Sequence, residues 1–164
     1  MNNYNGNLKF EGEYLNGKRN GKGKEYWNGK LEFEGEYLNG EKNGKCKEYN
    51  YNGKLKFEGE YLNGERNGKA KEYDSLNILI FDSEYLNGER NGEVSEYYIY
   101  NSKLKFKGEY LNGKRHGKGK KYYNNKLIFE GEYLNGKRWN GKGKECLFGK
   151  IIFEAEYLDG EKKE

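Results

Sequence analysis

The stretch FEGEYLNGKRNGKGKEY, residues 10–26, decides the fold. Its opening residues alternate: Phe10, Gly12 and Tyr14 share one parity, Glu11 and Glu13 the other. A period of two marks a half-buried strand. Asn16-Gly17 follows. Asn-Gly between alternating runs is the strongest short-range hairpin signal, because both residues tolerate positive φ. A second Asn-Gly, Asn20-Gly21, leads into a second strand expected from Lys22 to Tyr26. Asn28-Gly29 then returns the chain to Leu31-Glu32-Phe33, where the pattern starts again.

Repetition fixes the architecture. The phenylalanine recurs at Phe10, Phe33, Phe57, Phe81, Phe106, Phe129 and Phe153, at spacings of 23 to 25 residues. A tyrosine follows four residues later each time: Tyr14, Tyr37, Tyr61, Tyr85, Tyr110, Tyr133 and Tyr157. Leu or Ile precedes it by two, from Leu8 to Ile151. No stretch has helical spacing. The expected fold is all-β: a single elongated, twisted antiparallel β-meander of about six and a half hairpin repeats, one array over residues 1–164. The unit at about 74–102 is degenerate: Ser83 replaces the strand glycine, Val94 the Gly-x-Gly glycine, and EYYIYNSK replaces EYWNGK.

Two hairpin registers remain open. Phe10 opposite Tyr26 puts both aromatics on one face, with Lys24 over Gly12. A slip of one pairs Glu13 with Lys24 instead and exchanges the faces. The extra residues of the longer repeats fall around the second strand and its turns, where bulges are expected.

Composition agrees with a folded sheet. Charged residues make up 35% of the chain, which alone suggests disorder, but 16% are aromatic, which disordered segments avoid and strands favour. Net charge is +4, with both signs mixed, so it predicts solubility rather than a partner. The start MNNYNGNLKFEGEY has no apolar core of a signal peptide, and no apolar run nears the ~18 residues of a membrane helix. The expected location is cytoplasmic.

The repeated unit resembles the MORN (membrane occupation and recognition nexus) repeat, including its variant spelling in GKLKFEGEYLNG. The likeness rests on an aromatic-x-Gly-x-aromatic strand, a glycine-bearing turn and Gly-x-Gly, and it runs along essentially the whole chain. It implies an elongated β-meander and a scaffold for protein contact or self-association. Binding to acidic phospholipids is often attributed to the family.

Candidate chemistry weakens once the repeat is seen. Gly17-Lys18-Arg19-Asn20-Gly21-Lys22 looks like a clipped phosphate loop, but the spacing is one short, Gly23 stands where Ser or Thr is needed, and the motif returns in each repeat. The pairs Glu11/Glu13, Glu34/Glu36, Glu58/Glu60 and Glu130/Glu132 read as a solvated strand face opposite lysines, not as acid–base dyads. His116 takes the place of Asn20, Asn43 and Asn67 and reads as a turn residue. One histidine and two cysteines cannot build a usual zinc site. Cys46 and Cys146 lie about four repeats apart, on the order of 40 Å, and are expected as free thiols. Glutamates between the lysines cancel the field that nucleic acid requires. No catalytic, metal-binding or cofactor-binding residue is assigned, and neither a cofactor nor a small-molecule substrate is expected.

What remains is an interaction protein. A single sheet followed by no helix leaves one apolar face to cover. The candidate partner-binding aromatic face is Phe10, Tyr14, Phe33, Tyr37, Phe57, Tyr61, Phe106, Tyr110, Phe129 and Tyr133. A second candidate is the residue before Phe, charged in Lys9, Glu32, Lys56 and Lys105 but apolar in Ile80, Ile128 and Ile152. If that parity faces outward, these isoleucines form a contact patch. The partner is expected to be a protein, or a second copy in a homodimer. The alternative is an acidic lipid surface met by the Lys22/Lys24 series.

Overall fold

Wherever the alternating pattern occurs, the backbone is extended. The computed structural model describes residues 8–147 and 150–163, with the side chains at 145–152 outside that description. Its strands are β1 (Phe10–Leu15), β2 (Lys18–Trp27), β3 (Lys30–Leu38), β4 (Glu41–Tyr49), β5 (Leu55–Leu62), β6 (Glu65–Arg66), β7 (Gly68–Tyr73), β8 (Leu79–Leu86), β9 (Glu89–Tyr97), β10 (Leu104–Leu111), β11 (Lys114–Tyr123), β12 (Lys126–Leu134), β13 (Lys137–Leu147), β14 (Lys150–Leu158) and β15 (Glu161–Lys163). They form one open antiparallel sheet in chain order, with β6 beside β5. The all-β meander read from the repeat is thus the observed fold, and no helix occurs among the described residues.

The first Asn-Gly of each repeat is the hairpin turn. Asn16 and Gly17 take φ of 50° and 76°, and Leu15 faces Lys18 across them. That is the two-residue turn whose twist matches the strands. In later repeats the turn also hooks onto its predecessor: Gly40 N–H donates to Arg19 C=O at 2.9 Å, and Gly64 N–H to Lys42 C=O at 2.9 Å.

The second Asn-Gly is not a turn. The second strand begins at Lys18 rather than Lys22, and Asn20-Gly21 lies inside β2. Between Gly12↔Gly23 and Tyr14↔Arg19, Glu13 alone faces Asn20, Gly21 and Lys22. Gly21 relieves this bulge with φ of 83°, and the Glu13 carboxylate accepts the Lys22 N–H at 3.1 Å. His116 occupies the same bulge in β11, not a turn, and its Nδ1 is buried without a hydrogen-bond partner among the described residues.

The register matches neither expectation: Phe10 faces Glu25, and Gly12 faces Gly23. The Phe10 ring explains it. A Cβ at Gly12 would come within 2.8 Å of the ring tip, and one at Gly23 within 2.5 Å. Glycine opposite glycine makes a seat in which the ring lies against bare backbone.

A second irregularity corrects the expected faces. On the other side of β2, Glu25 faces Phe33 and Tyr26 faces Leu31, which leaves Glu32 extra. Lys56, Lys105 and Ile128 are extra in the same way. Bulges of this kind turn the additional residue toward the face of its neighbour. Accordingly Lys56 reaches Glu48 at 3.1 Å and Lys105 reaches Glu96 at 3.4 Å, both on the phenylalanine side. Leu31 instead stands opposite Tyr26, whose hydroxyl bonds Glu11 on the far face. Leu and Phe of one repeat therefore do not share a face.

Repeat length varies mainly at the return turns. The 23-residue repeats close on Asn28-Gly29 and Asn124-Asn125, each with positive φ. Three of the four longer repeats use loops ordered by one side chain: Asn50 Oδ1 accepts Asn52 and Lys54 N–H at 2.9 and 3.1 Å, Asp74 Oδ1 accepts Leu76 and Ile78 N–H at 2.9 and 2.8 Å, and Asn101 Oδ1 accepts Lys103 N–H at 3.0 Å; the fourth has its extra residue within β13.

Two compact units divide the chain: residues 1–79 with 85–88, and residues 80–84 with 89–164. The first has a core of Phe10, Phe33, Tyr37, Cys46, Phe57, Ala70 and Tyr85, with Tyr61 packed against it. The second has Val94, Phe106, Tyr110, Phe129 and Tyr133, with Phe81 and Tyr157 against them. In the degenerate repeat, Ser83 and Val94 are buried where the first repeat has Gly12 and Gly23, and Phe81 alone among the described phenylalanines of the first five repeats is not fully buried. Here both sides of the seat carry a side chain, whereas Phe33 and Phe57, which stay buried, keep a glycine opposite Cys46 and Ala70.

Candidate interaction surfaces

Phe10, Phe33, Phe57, Phe106 and Phe129 are each closed over by a tyrosine of their own repeat and one of the next. The Arg66 guanidinium lies 3.9 Å above the Phe57 ring, and Tyr61 and Tyr85 meet that ring edge-on at 6.2 and 5.9 Å. Glu48 ties these groups together. It accepts from Tyr61 Oη at 2.7 Å and from Arg66 Nη2 at 2.9 Å, with Lys56 beside it. The second unit repeats the device: Arg115 covers Phe106 at 4.4 Å, and Glu96, only 3% exposed, accepts from Arg115 Nε at 2.7 Å and from Tyr110 Oη. Burial alone would push the Glu96 carboxyl up, but Arg115, Tyr110 and Lys105 outweigh it and hold it below its ordinary range. Glu48 is lowered in the same way, against its burial, by Tyr61, Arg66 and Lys56.

This network went unseen in the sequence, although it left a signal. Arg19, Lys42, Arg66, Arg90, Arg115 and Arg138 hold one repeat position, and Glu25, Glu48, Glu72 and Glu96 another. Cations at 3.8 to 4.8 Å from phenylalanine rings are worth about 0.5–2 kcal/mol each. They form a lid that turns the apolar face into an interior.

The predicted aromatic face is thus mostly closed. Phe10, Phe33, Phe57, Phe106, Phe129, Tyr37, Tyr110 and Tyr133 are buried, Tyr61 is half-buried, and Tyr14 alone is exposed, at 50%. Tyr14 meets one phenylalanine, Phe10, edge-on at 5.4 Å, whereas Tyr37 meets both Phe10 and Phe33. Of the isoleucines, Ile128 is buried at 8%, Ile80 is half-buried, and the Ile152 side chain lies outside the described residues. The bulge turns Ile128 inward, opposite the outward orientation the patch requires. Cys46 is a buried free thiol, pushed up to about 12 by burial and by Glu48, while the Cys146 side chain lies outside the described residues. No group of three or more His, Cys, Asp or Glu positioned for a metal ion occurs among the described residues.

The other face of the first unit is open. A groove of about 440 Å³ runs across β1 to β4. Its floor is Gly23, Gly35 and Cys46; its walls are Glu11, Lys22, Lys24, Glu34, Glu36, Lys45 and Lys47. Each strand contributes one sign: two lysines from β2, two glutamates from β3, two lysines from β4. Lys24 and Glu34 face each other directly, as do Lys22 and Glu36, yet none of these four lysines lies within ion-pair distance of a carboxylate among the described residues. Tyrosines hold the acids instead: Tyr49 Oη donates to Glu34 at 2.5 Å and Tyr26 Oη to Glu11 at 3.0 Å. Burial and Glu34 push the Tyr49 hydroxyl up to about 12. In the second unit, Cys146 stands where Tyr49 would, and there Lys120 does pair with Glu130, at 2.8 Å. Two residues along the strand from Glu13, Glu36, Glu60 and Glu84, and on the same parity, Leu15, Leu38, Leu62 and Leu86 are each about half exposed; Leu15 and Leu38 belong to β1 and β3, which line the groove, and Leu62 to β5 next to β4.

Among known proteins, no curated protein matches the chain. The MORN repeat pattern matches residues 10–30, 33–54, 57–75 and 106–127. The matches pass over the repeat that carries Ser83 and Val94. MORN repeats are a non-catalytic repeat type, generally associated with protein or membrane-lipid interaction. With half of its residues matched, four times in register with the observed hairpins, the chain belongs to the MORN repeat family.

Proposed function

We propose that this protein is a non-enzymatic scaffold that binds a protein partner through the charged face of its first unit. One observation carries the reading: the aromatic face is lidded by the chain's own cations, whereas the opposite face keeps an open groove with lysines outside any ion pair and a leucine row beside it. Half-exposed leucines flanking polar walls are a recurrent composition of contact surfaces. Affinity capture from native extract, quantified for wild type and for Leu38→Lys/Leu62→Lys, tests it. The expected result is a specific set of proteins retained by the wild type and depleted by the variant. Equal recovery on both, or none above an unrelated β-protein, defeats the reading.

The lysines also favour a second reading, contact with acidic phospholipids. Glutamate rungs only about 4.8 Å from each lysine rung oppose it, because an anionic surface meets both signs together. Flotation with anionic vesicles checks it; binding that is absent at low salt removes it.

A further inference from the structure

We infer that the groove of the first unit is built for an α-helix whose charges alternate along one stripe, with an acidic residue recurring every seventh position. The inference rests on the scaffold reading above and names the partner's chemistry. It comes from the spacing of the rungs. Lys22 and Lys24 form one cationic rung, Glu34 and Glu36 the next, and Lys45 and Lys47 the third, with bare backbone at Gly23 and Gly35 between their arms. Adjacent strands lie about 4.8 Å apart, so the two lysine rungs are about 9.6 Å apart, with a carboxylate rung midway.

An α-helix rises about 1.5 Å per residue, so positions i and i+7 are about 10.5 Å apart on one stripe, with i+3 and i+4 midway. Glu at i and i+7 then meets the two lysine rungs, and Lys or Arg at i+3 or i+4 meets Glu34 and Glu36. An extended strand fits poorly, because its same-side residues repeat at about 6.7 Å. The mismatch of about 1 Å per period for the helix is within the reach of lysine side chains.

The tyrosines make the rungs available. Tyr49 holds the Glu34 carboxylate in place, yet leaves it acceptor capacity, since a carboxylate takes about four hydrogen bonds. Lys22, Lys24, Lys45 and Lys47 then meet an incoming acid without first breaking an internal ion pair. The leucine row, Leu38 and Leu62 foremost, receives an apolar stripe on the same helix. Like charges in the wrong register repel, so the alternation gives specificity as well as attraction.

The test uses the full chain and two labelled helical peptides of about 21 residues with identical composition. One places Glu every seventh residue with Lys midway and a flanking leucine stripe. The other keeps the leucines but gathers its Glu in one half and its Lys in the other. Fluorescence anisotropy is read for wild type, Lys22→Glu/Lys45→Glu and Leu38→Lys/Leu62→Lys, each checked for an unchanged thermal unfolding midpoint. The expected result is at least about tenfold tighter binding of the alternating peptide, loss of that advantage in the lysine variant, and weakening as salt rises. Equal affinity for both peptides overturns the inference. So does binding that survives the lysine changes; if that binding is lost only with the leucine changes, the scaffold reading stands and the charge register falls. Displacement of the peptide by phosphatidylserine vesicles, lost in the same lysine variant, overturns a helix as the occupant in favour of a lipid surface.

Discussion

The two faces of each hairpin use the same residue types to opposite ends. On one, Glu96 is sealed with Arg115, Lys105 and Tyr110 beside the Phe106 ring. On the other, Glu34 meets a single tyrosine, and the lysines around it stay clear of it. Charge content therefore says little about role. A glutamate facing a phenylalanine becomes part of the interior, and a glutamate facing a lysine stays at the surface. The bulges decide which is which, because they set the phase of the alternation.

This contrast orders the expected effects of substitution. The largest belongs to the sealed face: Phe57→Ala, which empties a fully buried seat, is expected to cost about 3–5 kcal/mol in denaturant unfolding. Next is Glu96→Ala, at about 3 kcal/mol, because it strands Arg115 without its acid; Glu34→Ala on the open face is expected to cost less than about 1 kcal/mol. Similar losses for the two glutamates break the comparison.

Acid sharpens it. Glu25, Glu48 and Glu96 are held below their ordinary 4.5 in the folded chain. Their stabilisation is complete above that unfolded-state value and is lost as pH falls through their lower folded values. The thermal midpoint is expected to drop below about pH 4.5, and Glu96→Gln to flatten that drop. A wild-type midpoint that holds down to about pH 3 contradicts it.

The smallest effect concerns the tyrosine that diverts Glu34. With Tyr49→Phe, Glu34 is released toward Lys24, as Glu130 already meets Lys120. A double-mutant cycle on Lys24 and Glu34 is expected to read near zero in the wild type and about 0.5 kcal/mol in the Tyr49→Phe background. No change in coupling removes the diversion.

Much of the fold was legible because the repeat multiplies weak local signals. Phe10 to Phe153 mark the first strands, and Asn16-Gly17 marks the tight turn, each with a local physical cause. The bulges were less visible. Asn20-Gly21 carries the same letters as a turn, and only the seating of Phe10 on Gly12 and Gly23 makes it a bulge within a strand. The lid over the rings was missed for a related reason. Arg66 and Glu48 read as surface residues until the register brings them to Phe57. Pattern alone left the face of Ile128 open; one extra residue in the ladder turns it in.

The hooks between turns have a consequence for growth of the chain. At the Asn39-Gly40 end, both turn residues are fixed in left-handed backbone, and Gly40 is bonded to the preceding repeat. An inserted residue there disturbs two repeats at once. At the opposite end of the hairpins, the loops over 50–54, 74–78 and 98–103 already differ in length and order their own backbone through an Asn or Asp, with only side chains among the described residues, Lys30 to Tyr51 C=O and Tyr98 to Tyr122 C=O, reaching between repeats. New sequence, whether drifted or designed, enters such an array along one rim, so its surface can diversify there while the ladder of rings stays in step.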